Sequence, residues 1–221
     1  ELNGVEVWID FDEEGKSNYE GIEIMPPKNN VRLQYASTEL ALRDGLVHFG
    51  DISHSISGNA KNVAVFLKPD AERPADSRDI AFLVDFNSKD SSFTYDKSEL
   101  KPVDISASGR LHEKGADISR LELKTPGGSS TLNGKIDDWK LLKYDLNVDS
   151  TIDLTQSSSV FPMGTAIAGV GKFKGRIVGE GEKYRLNGEV TSDSLAASNI
   201  RLKALKVTGD ADGEGTMYKA N

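Results

Sequence analysis

Residues whose side chains support catalysis or metal binding are few in this sequence, and their spacing suits neither task. There are three histidines, His48, His54 and His112, and no cysteine. His48 and His54 flank Asp51, but they lack the spacing of a helical zinc site, and no helix is indicated there. The absence of cysteine excludes a disulfide scaffold, a cysteine-ligated zinc site and thiol catalysis. We therefore expect solvent-facing histidines and no metal site.

Two glycine-rich stretches match known binding motifs only in part. The segment Gly127–Ser130 lacks the closing glycine of a G-x-S-x-G nucleophile elbow and is typical of a hairpin turn. Gly169, Gly171 and Gly175 miss the dinucleotide-binding spacing by one residue, with Lys174 at the place of the third glycine. No helix is indicated after them, so a phosphate cradle is not expected.

The clustered acidic residues also lack the surroundings that chemistry would need. Asp210, Asp212 and Glu214 alternate with other residues as in a calcium loop, but the remaining oxygen ligands are absent, which favours a solvated acidic tail. The pairs Asp137–Asp138 and Glu13–Glu14 are expected in turns, where no burial would raise a pKa. We therefore predict that the protein is not an enzyme and needs no cofactor.

Composition narrows the class of protein further. The chain has 221 residues, a formal net charge of −8 and a pI near 5.0, with basic residues dispersed among acidic ones. This balance gives no electrostatic footprint for nucleic acid. No run approaches the ~20 apolar residues that would span a bilayer. Because the strand pattern starts almost at Glu1, we expect a processed chain or a piece of a longer protein, whose anchor or export signal lies elsewhere.

The dominant pattern is a strict alternation of apolar and polar residues. It is clearest from Tyr144 to Leu154, where every second residue is apolar or small and the residues between them are polar. Successive side chains of a strand point to opposite faces, so each such run predicts a strand with one apolar side. The residues assigned to this apolar face are Val5, Val7, Ile9, Leu40, Leu42, Val47, Phe49, Val63, Val65, Leu67, Phe82, Val84, Phe86, Leu121, Leu123, Leu132, Ile136, Tyr144, Leu146, Val148, Ile152 and Leu154.

Turn signals divide the chain into about fifteen predicted strands. Asp44–Gly45 predicts a hairpin that would pair Leu42 with Val47 and Leu40 with Phe49. The segment 68–79, with two prolines and many charges, indicates a surface loop that is either a subdomain boundary or a long hairpin excursion within one sheet. Further turns are expected at Asp12–Gly15, Pro26–Asn29, Asn87–Ser91, Pro126–Gly128 and Gly179–Gly181.

A weak internal repeat accompanies the alternation. Leu-Asn-Gly occurs at residues 2–4, 132–134 and 186–188, and each time the glycine lies inside a predicted strand. Glycine within a strand usually marks a bulge, a bend or a close backbone approach. The sequence therefore predicts an all-β fold, a long and mostly antiparallel sheet of amphipathic strands over residues 1–221, which bends at the glycine-marked rungs.

The same segments resemble a known family. Residues 40–51 and 57–65 are similar to the alternating phrase around Asp/Asn-Gly that recurs in the AsmA/TamB superfamily. The family's repeating strands are similar to residues 105–111, 118–123 and 129–136. Residues 145–154 close that unit, and residues 175–190 begin another. The resemblance covers nearly the whole chain, but its motifs are alternation and glycine rather than an invariant signature. The helical anchor and C-terminal domain of the family find no match here, so the branch stays open.

The resemblance implies both a shape and a role. The family's sheet is a U-shaped open groove, the β-taco, with an apolar interior that runs across the strands. Its members are anchored in the inner membrane of diderm bacteria, extend through the periplasm and are implicated in phospholipid movement to the outer membrane. By resemblance we expect phospholipid acyl chains as ligands along the apolar face. The inner and outer membranes would be reached through missing segments, and an outer-membrane barrel is a candidate partner.

Two other functions fit the alternation. A closed β-solenoid or sandwich could serve as a structural or adhesive module, because its apolar face would then be an ordinary core. A TamB-like assembly factor for outer-membrane proteins could instead add a client strand to an exposed sheet edge. Strand by strand, the sequence does not separate these from a lipid conduit.

Overall fold

The computed structural model describes residues 1–18, 39–53, 55–70, 81–112, 114–139, 141–160, 167–215 and 217–220. Within these ranges the chain forms strands and one short helix. The elements are β1 (Leu2–Asn3), β2 (Glu6–Phe11), β3 (Leu40–Asp51), β4 (Ile56–Pro69), β5 (Phe82–Tyr95), β6 (Ser98–Leu111), β7 (Ala116–Thr125), β8 (Gly128–Asp138), β9 (Lys143–Asp153), α1 (Leu154–Val160), β10 (Ile167–Glu180), β11 (Lys183–Ala197), β12 (Ile200–Glu214) and β13 (Met217–Ala220). The predicted turn at 26–29 and most of the predicted loop 68–79 lie outside these residues.

All the described strands belong to one open sheet. β1 and β2 both pair with β3 in parallel, and from β3 onward each strand pairs antiparallel with the next. The sheet is therefore mostly antiparallel and is not closed into a barrel, which confirms the predicted fold class. With 13 strands on a path 12 wide, it spans about 50 Å at ~4.8 Å per strand, less than fifteen strands would give.

The pairing register brings the apolar residues of different strands into continuous rows. Directly opposite residues of paired strands share a face, so the register identifies the members of each row. We call two of them the first row and the second row. The first row consists of Leu2, Leu42, Val65, Phe86, Ala107, Leu121, Leu132 and Val148, followed by Gly175, Gly188 and Gly209. The second row consists of Leu40, Leu67, Val84, Gly109, Ile118, Gly134, Leu146, Ile177 and Leu186.

The predicted hairpin at Asp44–Gly45 is wrong, because β3 continues through it as one strand. Asp44 adopts a left-handed conformation with φ of 51°, and the register with β4 shifts at this point. The extra residue of a bulge changes the parity of the alternation. Leu42 and Val47 therefore share a face although they lie five residues apart, as they also would across a hairpin.

The predicted turn at Asn87–Ser91 is wrong for the same reason. β5 runs through it with a bulge, in which Asp90 has φ of 54°. Asn62 of β4, with φ of 49°, lies at a third irregularity, between the bulged parts of β3 and β5. Bulges bend a strand and increase its twist, so three of them on adjacent strands bend the sheet along one line.

Small or buried residues mark the inside of this bend, which we call the crease (Gly45, Val63, Ser88, Ser91 and Val103). Val63 is 1% exposed and Ser88 0% exposed, although within the described residues each strand contacts only its sheet neighbours and, in three cases, α1. No other described layer lies over these side chains, so we attribute their burial to bending of the sheet toward this face at the three bulges. The crease and the apolar rows lie on the same face, so the apolar face is concave.

Substitutions at Ser88 test whether the crease is closed. Its hydroxyl is buried and has no hydrogen-bond partner among the described residues. Ser88→Ala should raise the free energy of unfolding by about 1 kcal/mol, since it removes an unsatisfied polar group. Ser88→Leu should lower it by about 1–3 kcal/mol through overpacking. Urea denaturation measures both, and equal tolerance of the two changes would contradict a closed crease.

Candidate functional site

The concave face holds every predicted apolar-face residue that lies in a strand. These residues come from β2 to β5 and β7 to β9, and the register brings them side by side although they are far apart in the sequence. The predicted face is thus one surface.

Two predicted residues, Val5 and Leu154, lie outside the strands. Val5 connects β1 to β2, and its carbonyl oxygen accepts a hydrogen bond of 2.9 Å from the Leu46 N–H. Leu154 does not extend β9 as its alternation suggested but begins α1. Its side chain still covers the concave face, because its Cδ1 atom lies 3.6 Å from where a Cβ of Gly171 would be.

The short helix α1 begins where Asp153 caps it. Asp153 Oδ1 accepts hydrogen bonds from the backbone N–H groups of Thr155 at 2.9 Å and Gln156 at 3.2 Å, while the Gln156 amide donates to Asp153 Oδ2 at 2.9 Å. These bonds, with the Gln156 N–H first, lower the pKa of Asp153. The Asp-x-x-Gln spacing is a helix-start signal that the alternation obscured.

Aromatic side chains on the concave face lie flat over glycines of neighbouring strands. A Cβ on Gly188 would lie 2.7 Å from the Phe173 ring, and one on Gly179 would lie 2.5 Å from Cζ of Tyr144. Tyr184 covers Gly213 in the same way. Pairing an aromatic ring with a cross-strand glycine lays the ring against the sheet. The rings therefore line the face without filling the space above it.

Sequence analysis missed several members of this face. They belong to β6, β7, β10 and β11, where glycine or a bulge interrupts the apolar alternation. In β10 the alternation Phe173, Gly175, Ile177, Gly179 would have revealed them if glycine had been counted as a concave-face residue. The missed residues include Ile105, Ala107, Ile118, Phe173, Ile177, Leu186 and Val190.

Near the two rows, the charged side chains of the central strands lie on the opposite, outer face. The first and second rows contain no ionisable side chain. On the outer face, Arg176 Nε donates to Asp145 Oδ1 at 2.6 Å, and Arg185 Nε donates to Asp212 Oδ1 at 2.7 Å. The hydrogen bond from Arg176 lowers the pKa of the Asp145 carboxyl. Each strand therefore separates an ionic surface from an apolar one.

The concave face is accessible and is not a sealed core. Among the described residues, the buried hydrophobic side chains are Val63, Val103, Ala116 and Val148. Most others of this face are half-buried, and Ile152 remains 37% exposed. A surface of this extent, which among the described elements only α1 covers in part, is typical of a binding site rather than of a finished interior.

The polar clusters considered in the sequence serve structural roles. His48 lies on the outer face, with Nε2 at 2.8 Å from Glu6 Oε1 and its ring stacked on Trp8 at 4.9 Å, which ties β2 to β3. The hydrogen bond with Glu6 raises the pKa of His48. No group of three or more potential metal-binding side chains is found in the described part of the chain.

The acidic residues near the C-terminus lie in a strand, which corrects the predicted solvated tail. Asp210 and Asp212 both belong to β12. They pair with Asn187 and Arg185 of β11. Their carboxylates are therefore engaged across the sheet, and they do not form a calcium loop.

Comparison with known protein families, with curated proteins and with solved structures finds no match to this chain. Within the described residues, no helix has the length and apolar character needed to cross a membrane.

Proposed function

We propose that the concave face binds acyl chains of phospholipids, and that the protein is a segment of a conduit that carries lipids between the two membranes of a diderm bacterium. The observation that supports this most is the first row. It runs from Leu2 on β1 to Val148 on β9 without an ionisable side chain, and among the described elements only α1 lies over the concave face.

Elementary energetics favours hydrocarbon as the occupant. Each buried methylene contributes about 0.8 kcal/mol, and hydrophobic contact has no preferred direction. An acyl chain lying along a row would meet similar aliphatic contacts at each strand, so it could shift from one strand to the next at little cost. A headgroup at the open side would stay in water, which avoids the cost of burying its charge.

The proposed cellular location and partners rest on the family resemblance and not on the concave face. An anchor in the inner membrane, a periplasmic location, contact with the outer membrane and a barrel partner are supported by the AsmA/TamB resemblance alone. The extent of the sheet is compatible with them, since about 50 Å of groove would be one segment of a longer path. The described residues provide no site for an energy source.

Binding of an acyl-labelled fatty acid tests the proposal. We expect saturable binding of the fluorescent probe to the purified protein, with displacement by unlabelled phospholipid. Native mass spectrometry of the same protein should show bound phospholipid after incubation with vesicles. A protein that rejects the probe and stays lipid-free in both measurements would contradict acyl-chain binding.

A second candidate is strand addition at the edge formed by β12. β13 pairs with the Ala211–Glu214 end of β12, and residues 200–210 have no further strand partner among the described residues. Such an edge can accept an extended client strand. Crosslinking from Lys206 to an unfolded outer-membrane protein, together with a negative acyl-probe assay, would favour this candidate over lipid binding.

A further inference from the structure

A cavity lies where α1 covers the concave face at one rim of the sheet. α1 contacts β6 as well as β9 and β10, so it reaches across the strands between them. The space between helix and sheet has a volume of about 330 Å³, within the range of ligand sites. Its lining includes Leu100, Leu123, Thr125 and Ile152 on the sheet side and Gln156 and Ser157 on the helix side.

Two hydroxyl groups of the lining already bond within the protein. Ser130 Oγ accepts a hydrogen bond of 2.7 Å from Ser150 Oγ, and Thr125 Oγ1 donates to the Gly128 carbonyl at 3.3 Å. A polar ligand would have to compete with these bonds. Its own desolvated groups would then be poorly satisfied.

Three longer polar side chains of the lining, Gln156, Lys101 and Glu99, are engaged as well. The Gln156 amide donates to Asp153, and the Lys101 ammonium lies 2.8 Å from Glu99 Oε2. The lining contains no aromatic side chain, so stacking on a ring or a sugar is not available. What the cavity offers a ligand is mainly aliphatic contact.

The helix that roofs the cavity is held in place from several sides. Besides its Asp153 cap, Thr155 Oγ1 accepts a hydrogen bond from the Gly169 N–H at 3.2 Å, and Ser158 Oγ donates to the Ile167 carbonyl at 3.4 Å. Gly127 lies against the helix so closely that a Cβ there would be 3.0 Å from Ser157 Oγ. These contacts therefore fix α1 in its position over the sheet.

We propose that this cavity holds the methyl end of one unbranched acyl chain and is a fixed resting site on the concave face. The inference rests on the proposed function. Along the open rows a chain is covered from one side, whereas between α1 and the sheet it is covered from two, so more of its surface leaves water. Because Leu123 and Ile152 belong to both the cavity and the concave face, a chain can pass from one to the other.

A palmitic acid with a diazirine at its methyl end tests this site. On photolysis, we expect most crosslinks in residues 98–101, 123–130 and 152–157. Ile152→Trp, which fills the cavity, should remove at least about four-fifths of these crosslinks and leave those elsewhere on the concave face. Val178→Trp is the matched control, since Val178 is similarly exposed but lies on the outer face of β10. Its crosslink pattern should equal that of the wild type.

The outcomes separate the two proposals. Crosslinks spread evenly over the concave face, or unchanged by Ile152→Trp, would overturn the resting site and leave acyl-chain binding intact. No specific crosslinking anywhere, with no probe binding, would overturn both. If Ile152→Trp does not fold by circular dichroism, Ser157→Trp fills the cavity from the helix side and should give the same loss.

Discussion

Leu146→Asp is expected to weaken binding of an acyl-labelled fatty acid by at least about tenfold. Leu146 lies in the middle of the second row, between Gly134 of β8 and Ile177 of β10. The charged carboxylate of an aspartate there would stay hydrated, so about two methylenes of a bound chain would lose their contact with the protein. At about 0.8 kcal/mol each, the loss corresponds to slightly more than tenfold in affinity.

The adjacent residue supplies the control for this change. Asn147 is exposed on the outer face of the same strand, and Asn147→Asp introduces the same charge at nearly the same position along the sheet. We expect its affinity for the probe to stay within about twofold of the wild type. Fluorescence titration measures both variants, after circular dichroism has shown that both retain the strand content. Equal weakening by the two changes would mean that net charge, and not the concave face, governs binding.

Gly134→Ala is expected to lower the free energy of unfolding strongly, although it adds only one methyl group. Gly134 has φ of 141°, a conformation that is essentially restricted to glycine and costs roughly 1–3 kcal/mol for other residues. An added Cβ would also meet the Asp145 carbonyl oxygen and lie 2.9 Å from Cα of Leu146. The two strands would have to separate, so a loss beyond the backbone cost alone is expected in the free energy of unfolding.

Gly171→Ala provides the comparison for Gly134→Ala. Gly171 also faces the concave side, but its φ is outside the glycine region, and the nearest atom to an added Cβ is Leu154 Cδ1 at an ordinary 3.6 Å. We expect a change within about 0.5 kcal/mol. Urea denaturation of both variants decides the matter. If both variants lose the same free energy of unfolding, the close approach of the neighbouring strand does not explain why glycine is needed at position 134.

The alternation was sufficient to predict the fold class and to place the alternating apolar residues of β2 to β5 and β7 to β9 on one face, because period two fixes which side chains share a face. It was insufficient where a bulge changes parity. From Leu42 to Val47 a hairpin and a bulge give the same apolar spacing, and Asp44–Gly45 suits both. The two differ only in whether β3 pairs with itself or with β4, which depends on residues far along the chain.

The cavity and the flat aromatic rings could not be predicted for a related reason. That Phe173 lies over Gly188 depends on the register between β10 and β11, which no local pattern specifies. α1 has seven residues, too few for a helical period to stand out, and its cap residue Asp153 also continues the alternation of β9. Where a local sequence pattern is compatible with two structures, tertiary packing decides which of them forms.

A single-cysteine scan along β9 tests acyl-chain binding on the concave face most directly. The chain has no cysteine, so each variant carries one bimane fluorophore at a known position. Phospholipids with brominated acyl chains would quench a fluorophore that they contact. If the concave face binds acyl chains, we expect quenching at concave positions and none at outer ones, which alternates with period two along the strand. Uniform quenching, or its absence throughout, would contradict it. The concave positions are Tyr144, Leu146 and Ile152, and the outer positions are Asn147, Asp149 and Thr151.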